Sequence, residues 1–337
     1  MDRAGLERLA GRYARRKDVS ALSIGVHAPD IEWLHDGERP YFIASTTKLF
    51  TTAIVMQLRN EGLLRLDDPI CDHLEPEVVR GLNVQGGLDR SAEVTVRQLL
   101  SHTSGIPDYF ERKRPDGSTL LSDMLRTDRG WSFEEALEIA RSLKPTNPPG
   151  DTNTAKYSDT NYQLIGAVIE ARTGRTFEAA LRDRIFAQLG LSSTWLFTMA
   201  TLERYDEVAP MLNGAERVRI PRAMASFGPD GGIVSTARDQ LTFLRAFVAG
   251  ELFPRSFLDE MTSEWRRWRF PLDYGTGIMR FALPRVMTLG RAFPPMIGHS
   301  GASGAVLFHS PARKVFVAAT VNQIAKRSLS FQLLSRV

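Results

Sequence analysis

Hydrophobic positions along this chain change period several times, and each change predicts an element. Leu6, Leu9 and Tyr13 recur at helical spacing near the start, as an amphipathic helix leading into a strand. Residues 21–26 alternate weakly, Pro29-Asp30 makes a turn, and residues 31–34 read as a second short strand, so a hairpin is expected there. A second β-rich region lies at the far end. Residues 305–308 and 315–321 are apolar and flank the turn Ser310-Pro311-Ala312-Arg313-Lys314. From about Arg327 the last residues are expected to form a closing helix.

The middle reads as helical. In residues 47–60, Leu49, Phe50, Ala53, Ile54 and Leu58 share a buried face, and Gly62 supplies the stop. Residues 159–173 carry Tyr162, Ile165, Val168 and Ile169 ahead of Gly174. Residues 177–189 carry Phe177, Leu181, Ile185 and Leu189 ahead of Gly190. Thr236 with Asp239 three residues on resembles a capping box, opening a helix that ends near Gly250. Strands at both ends with helices between predict an α+β fold. One antiparallel sheet is formed by the N- and C-terminal segments, flanked by helices, with an inserted helical subdomain. No repeat or linker divides the chain, so residues 1–337 are expected to be a single domain. Its α/β part would span about 1–60 and 230–337, and its helical insertion about 61–229. The turn-rich residues 145–151 (PTNPPGD) predict a long loop.

Composition narrows the class. The 337 residues are 43% hydrophobic and 24% charged, which rules out disorder, collagen and coiled coil. The net charge is +4, only seven of the 43 basic residues are lysine, and the arginines are scattered. Such scatter is not a nucleic-acid footprint, which needs a basic face or stripe. No run approaches the ~18 to 20 apolar residues that span a bilayer. The start shows no apolar leader segment, and a cytoplasmic protein is the expectation. The lone Cys71 can make no internal disulfide and is expected to be a buried bystander. The six histidines show no ligand spacing, and neither metal nor cofactor is expected.

Three short segments could carry chemistry. Ser45-Thr46-Thr47-Lys48 follows the strand-like residues 41–44 and opens the 47–60 helix. Serine and lysine three apart on a helix share a face, so the amine can reach the hydroxyl. The free N–H groups and dipole of a helix start also favour an oxyanion. With 23 serines and seven lysines, about half a Ser-x-x-Lys arises by chance in such a chain. Taken alone, the segment is a serine cap beside a solvated lysine. Tyr157-Ser158-Asp159 opens the 159–173 helix. A phenol there can take and return a serine proton if a cation lowers its pKa. Taken alone, Tyr157 packs and Asp159 caps. Gly298-His299-Ser300-Gly301 runs into Ala302-Ser303-Gly304, a strand edge free of bulky side chains where a carbonyl can approach backbone N–H groups. Taken alone, it is a glycine-rich hairpin turn.

Together and in this order, the three segments resemble the Ser-x-x-Lys, Tyr-x-Asn and Lys/His-Thr/Ser-Gly motifs of the penicillin-recognising serine hydrolases. The branch they resemble is the class C β-lactamase-like group, which includes D-alanyl-D-alanine carboxypeptidases, D-aminopeptidases and family VIII carboxylesterases. Leu99-Leu100-Ser101-His102-Thr103-Ser104-Gly105-Ile106 is similar to that group's Leu-Leu-Ser-His-Thr-Ser-Gly-Leu segment. Pro149-Gly150, Tyr157-Ser158-Asp159-Thr160-Asn161-Tyr162 and Gly231-Gly232-Ile233-Val234-Ser235-Thr236 fit its other signatures. The resemblance runs from about residue 20 to 325.

The resemblance implies a β-lactamase-like fold and an acyl-enzyme mechanism. Ser45 would be the acylated nucleophile, and Lys48 and Tyr157 would share the general-base and general-acid work. The N–H groups of Ser45 and Ala302 would form the oxyanion hole, a role worth ~3 to 4 kcal/mol per donor. Substrate would meet Asp159, His299, Ser300 and Gly301, with Tyr109 and Phe110 lining the acyl pocket. His299 would donate to a substrate carboxylate or to Tyr157, and His102 would hold its loop. The family usually has Asn where this chain has Asp159, and a carboxylate cannot donate a hydrogen bond. Asp159 would also pair with Lys48, favour the ammonium and shift base duty toward Tyr157. The expected function is hydrolysis of esters of small or medium acids. The alternatives are a D-amino-acid-specific peptidase or amidase, a weak β-lactamase, an acyltransferase, or a non-catalytic ligand-binding relative. The expected partner is a small-molecule ester or amide, and the oligomeric state is left open.

Overall fold

The two ends of the chain meet in one antiparallel sheet of eight strands. A computed structural model describes residues 2–288 and 292–337. The strand order is Arg266–Arg269, Leu272–Tyr274, Met279–Phe281, Met296–Ser300, Ala305–Ser310, Val315–Thr320, Ser23–Ala28, Ile31–His35. The N-terminal hairpin therefore pairs directly with the last strand, Ile24 opposite Ala319 and Val26 opposite Val317. Alternation along the strands splits the core in two. Ala305, Leu307 and Ala318 face one cluster, while Val306, Phe308, Val317 and Ala319 face the other with Ile24 and Val26. Both faces of Ala305–Ser310 are buried, which is why its first four residues, 305–308, are a continuous apolar run.

Helix Ala237–Ala249 packs on the first face through Leu241 and Phe243, and Arg3–Ala14 and Ser328–Leu334 pack on the second through Leu6, Leu9 and Leu333. Thr236 caps the first of these by accepting from Asp239 N–H at 3.1 Å. The Asp239 carboxylate does not return the bond; it accepts from Ser193 N–H and the Thr194 hydroxyl instead. Gly174, Gly190 and Gly250 close their helices at φ of +62°, +64° and +87°, as the stop signals predict. The 177–189 helix is interrupted by a π-turn at Arg182–Phe186.

Helix Thr47–Asn60 is buried all round from Thr47 to Leu58, not on one stripe, because it lies between the sheet and the helical part of the molecule. Phe50 stacks on Phe243 there with ring centroids 3.6 Å apart. The 145–151 loop docks on residues 103–105. Thr146 N–H donates to Gly105 O and Gly150 N–H to Thr103 O, both at 2.9 Å. Gly105 sits at φ +74°, and a Cβ there would fall on the Asn147 carbonyl oxygen. Cys71 is exposed, contrary to expectation, because the turn Ile70–Asp72 buries Ile70 and turns its neighbour outward. Among the described residues no helix is long and apolar enough to cross a membrane.

Candidate active site

Ser45 sits on the short turn Ala44–Thr46 that feeds helix Thr47–Asn60. Ala44 holds a φ of +48°, an uncommon conformation for a residue with a Cβ, at the entry to the turn. The far end of the chain holds this turn in place. The Ser303 hydroxyl donates to Phe42 O at 2.7 Å, and Gly301 lies so close that a Cβ would strike the Ile43 carbonyl. Ser45, Ala302, Ser300, Gly301, Tyr157 and Asp159 all line one cavity of about 290 Å³. Most of its remaining wall is apolar, including Phe110, Met124, Phe227, Trp268 and Met279. Gly301 N–H is spent on Ala305 O and Gly304 N–H on Gly301 O, and Ala302 lies on the turn between.

Lys48 is wholly buried and its Nζ has three acceptors. They are Asp159 Oδ1 at 2.5 Å, the Asp230 main-chain oxygen at 2.7 Å and Ser45 Oγ at 3.4 Å. Three acceptors match the three hydrogens of an ammonium, and the ion pair with Asp159 is the one the sequence predicts. The same Nζ lies 5.1 Å from the ring centroids of both Tyr157 and Tyr162. Burial holds the Tyr157 phenol well above its ordinary pKa, and the Asp159 charge adds to it, while contact with the Ser45 hydroxyl acts the other way. Tyr157 therefore rests as a phenol, which opposes the expectation that Asp159 moves base duty onto it.

Two residues expected at the substrate lie elsewhere. Tyr109 is fully buried behind the wall, and its hydroxyl donates to Asp230 Oδ2 at 2.8 Å; its neighbour Phe110 lines the cavity instead. His299 is also fully buried and turned away from the cavity. Its Nδ1 is 2.8 Å from Ser300 O and its Nε2 is 2.9 Å from the Tyr274 hydroxyl. The carbonyl can only accept, so Nδ1 carries the hydrogen and Nε2 accepts from Tyr274. Burial, then the Lys48 charge, holds the imidazole down at about 3. It is a neutral strut, not an anion anchor.

The structure adds residues that the sequence pattern does not single out. Asp108 Oδ1 accepts from Asp159 N–H at 2.8 Å, and burial followed by the Asp159 charge raises its carboxyl to about 7. Asp230 is 1% exposed and strongly raised by burial and by Asp159; Oδ1 of its carboxyl has no partner among the described residues. Burial likewise raises Asp159 itself, with Lys48 pulling it back. Asp108 and Asp230 stand beside the quoted Ile106 and Gly231 segments, the one available signal. Trp268, stacked on Tyr157 at 4.7 Å, has none.

Comparison with known proteins places this arrangement. The Beta-lactamase family model matches residues 13–328, and the chain belongs to that family, whose members are serine hydrolases. It is 30% identical over 222 residues to penicillin-binding protein 4 of Amycolatopsis lactamdurans, covering 62% of this chain and 51% of that protein. The chain thus spans about half the length of the curated relatives it matches. Among solved structures, a D-stereospecific amidohydrolase from Streptomyces sp. is 27% identical with a TM-score of 0.77, covering 96% of this chain and 95% of that one. EstCE1, described as a hydrolase with promiscuous acyltransferase activity, shares the fold at 17% identity and a TM-score of 0.78, covering 99% and 97%.

Proposed function

We propose that this protein is a serine hydrolase acting through a Ser45 acyl-enzyme on esters of small or medium apolar acids. The observation that carries the reading is the placement of Ser45, within reach of Lys48, at the wall of an apolar cavity of about 290 Å³. In the fraction of molecules in which the Lys48–Tyr157 pair holds one proton fewer, Ser45 Oγ attacks the acyl carbon, and its proton passes into that pair and on to the departing alkoxide. Charge on the carbonyl oxygen falls on the N–H groups of Ser45 and Ala302. Water then releases the acid by the reverse path. An ester suits this site because its alkoxide leaves more readily than an amine, and because Asp159 cannot donate to an amide carbonyl. A second reading, hydrolysis of D-amino-acid amides, is favoured by one feature: Asp159 lines the cavity, and its charge would suit a free ammonium.

Intact-mass analysis with a fluorophosphonate tests the nucleophile; one adduct, mapping to Ser45, is expected. Comparing kcat/KM for a p-nitrophenyl acyl ester, a chromogenic cephalosporin and a D-alanyl p-nitroanilide tests the substrate. The ester should be turned over best. Preference for the anilide would establish the second reading in its place.

A further inference from the structure

The Leu99–Ile106 stretch carries no group in the mechanism above, yet one of its residues grips the chain on both sides of Tyr157. The His102 main-chain oxygen accepts from Lys156 N–H at 2.8 Å. Its Nδ1 accepts from Ser158 N–H at 3.2 Å. Between those two bonds the imidazole lies against the Tyr157 ring itself, centroids 4.3 Å apart. Residues 156, 157 and 158 are thus each held by the same side chain or its own carbonyl.

The grip is fully specified chemically. Nδ1 faces two donors, Ser158 N–H and Asn161 Nδ2 at 3.3 Å, so it must be the bare nitrogen and Nε2 must carry the hydrogen. Nε2 has no hydrogen-bond partner among the described residues, and the ring stands edge-on to Tyr274 at 4.5 Å. Asn161 is held in turn by the Ser104 hydroxyl at 2.8 Å, and its amide also reaches Leu99 O at 3.3 Å. His102 is wholly buried and sits at φ +55°, a conformation uncommon for a residue with a Cβ and better tolerated by Asn and His than by most. A buried, left-handed residue whose acceptors serve only the flanks of Tyr157 and the adjoining helix is built to aim that phenol.

We propose that His102 is a positioning residue that sets the attitude of Tyr157 toward Ser45, through its carbonyl on Lys156, its Nδ1 on Ser158 and its ring against the phenol. The proposal rests on the Ser45–Tyr157 reading above. It requires that loss of the Nδ1 acceptor slow the chemical step without weakening substrate binding, and that the loss disappear once Tyr157 has no hydroxyl to aim.

The test measures ester kcat and KM separately in His102→Phe, which keeps a ring and loses the acceptor, and in His102→Asn, whose Oδ1 stands where Nδ1 does. His102→Phe should lose about 30-fold or more in kcat with KM within about twofold, and His102→Asn should recover most of the loss. In the double variant with Tyr157→Phe, the His102→Phe change should cost no further kcat. Parental kcat in His102→Phe, or full additivity in the double variant, overturns the proposal. If His102→Phe fails to fold, His102→Gln replaces it, since its amide sits at the Nε2 position. His102→Gln matching His102→Asn then overturns the proposal, and a slow His102→Gln supports it. Ser45→Ala separates the two readings: if it retains ester turnover, the serine mechanism itself fails, whereas an inactive Ser45→Ala beside a fully active His102→Phe fails only the clamp.

Discussion

At the residue scale, the centre of the site is a buried cation among carboxyl groups. Lys48 meets Asp159 at 2.5 Å, while Asp108 and Asp230 stand within the same cluster. The Asp159 charge stabilises the ammonium and, by the same Coulomb attraction for protons, opposes ionisation of Tyr157. The consequence has a definite sign. Ester kcat/KM should still be rising in the alkaline range, where the raised phenol begins to lose its proton. In Asp159→Asn the carboxylate's contribution to the raised phenol pKa is gone, so the rising limb should move toward acid. A pH–rate series on parent and variant measures this. An unmoved limb would show that the Asp159 charge does not govern the proton that limits the rate.

At the element scale, the site is a seam between the C-terminal end of strand Met296–Ser300 and the turn carrying Ser45. Close approach demands Gly301, where a Cβ would strike the Ile43 carbonyl oxygen and come within 3.0 Å of the Ala44 Cβ. Gly301→Ala should therefore push the two apart and carry Ala302 away from Ser45. Displacing one oxyanion donor costs about 100-fold or more in kcat, and fluorophosphonate labelling should slow in step while the chain stays folded. Equal labelling rates in parent and variant would remove Ala302 from the oxyanion hole. The glycines of this strand and its turn are legible in the sequence. That His299 points into the sheet toward Tyr274 is not, because side chains on successive strand residues take opposite faces and the facing is set by register.

At the scale of the whole molecule, the sheet closes only when both ends of the chain are present, since Ser23–Ala28 lies between Val315–Thr320 and Ile31–His35. Its buried histidines make stability pH-dependent. Burial holds His309 down at about 4 and His299 at about 3. Below an ordinary histidine pKa of about 6.5 the unfolded chain takes up protons that the folded one refuses, so these groups withdraw stability as pH falls from about 6.5 toward 4. Asp108, raised to about 7, acts with the opposite sign and withdraws stability as pH rises across about 4 to 7. His309 stacks on Phe316 at 4.1 Å, is not part of the cavity wall, and can be replaced alone. His309→Leu should lose less stability than the parent between pH 6.5 and 4.5, read from denaturant midpoints. Parallel curves would refute the assignment.

By itself the sequence determines what depends on local spacing. Ser45 and Lys48 share a helix face, Gly174, Gly190 and Gly250 end their helices, and the two apolar ends form strands. Each follows from the 3.6-residue or two-residue period, or from glycine's freedom at positive φ. Tertiary structure alone decides which residues meet across fifty positions or more. It sets the Asp230 carbonyl on Lys48, Tyr109 behind the wall on Asp230, and His102 against Tyr157. Those contacts arise where packed helices and loops leave buried polar groups that must find one another, and a buried charge or N–H left without a partner is too costly to keep.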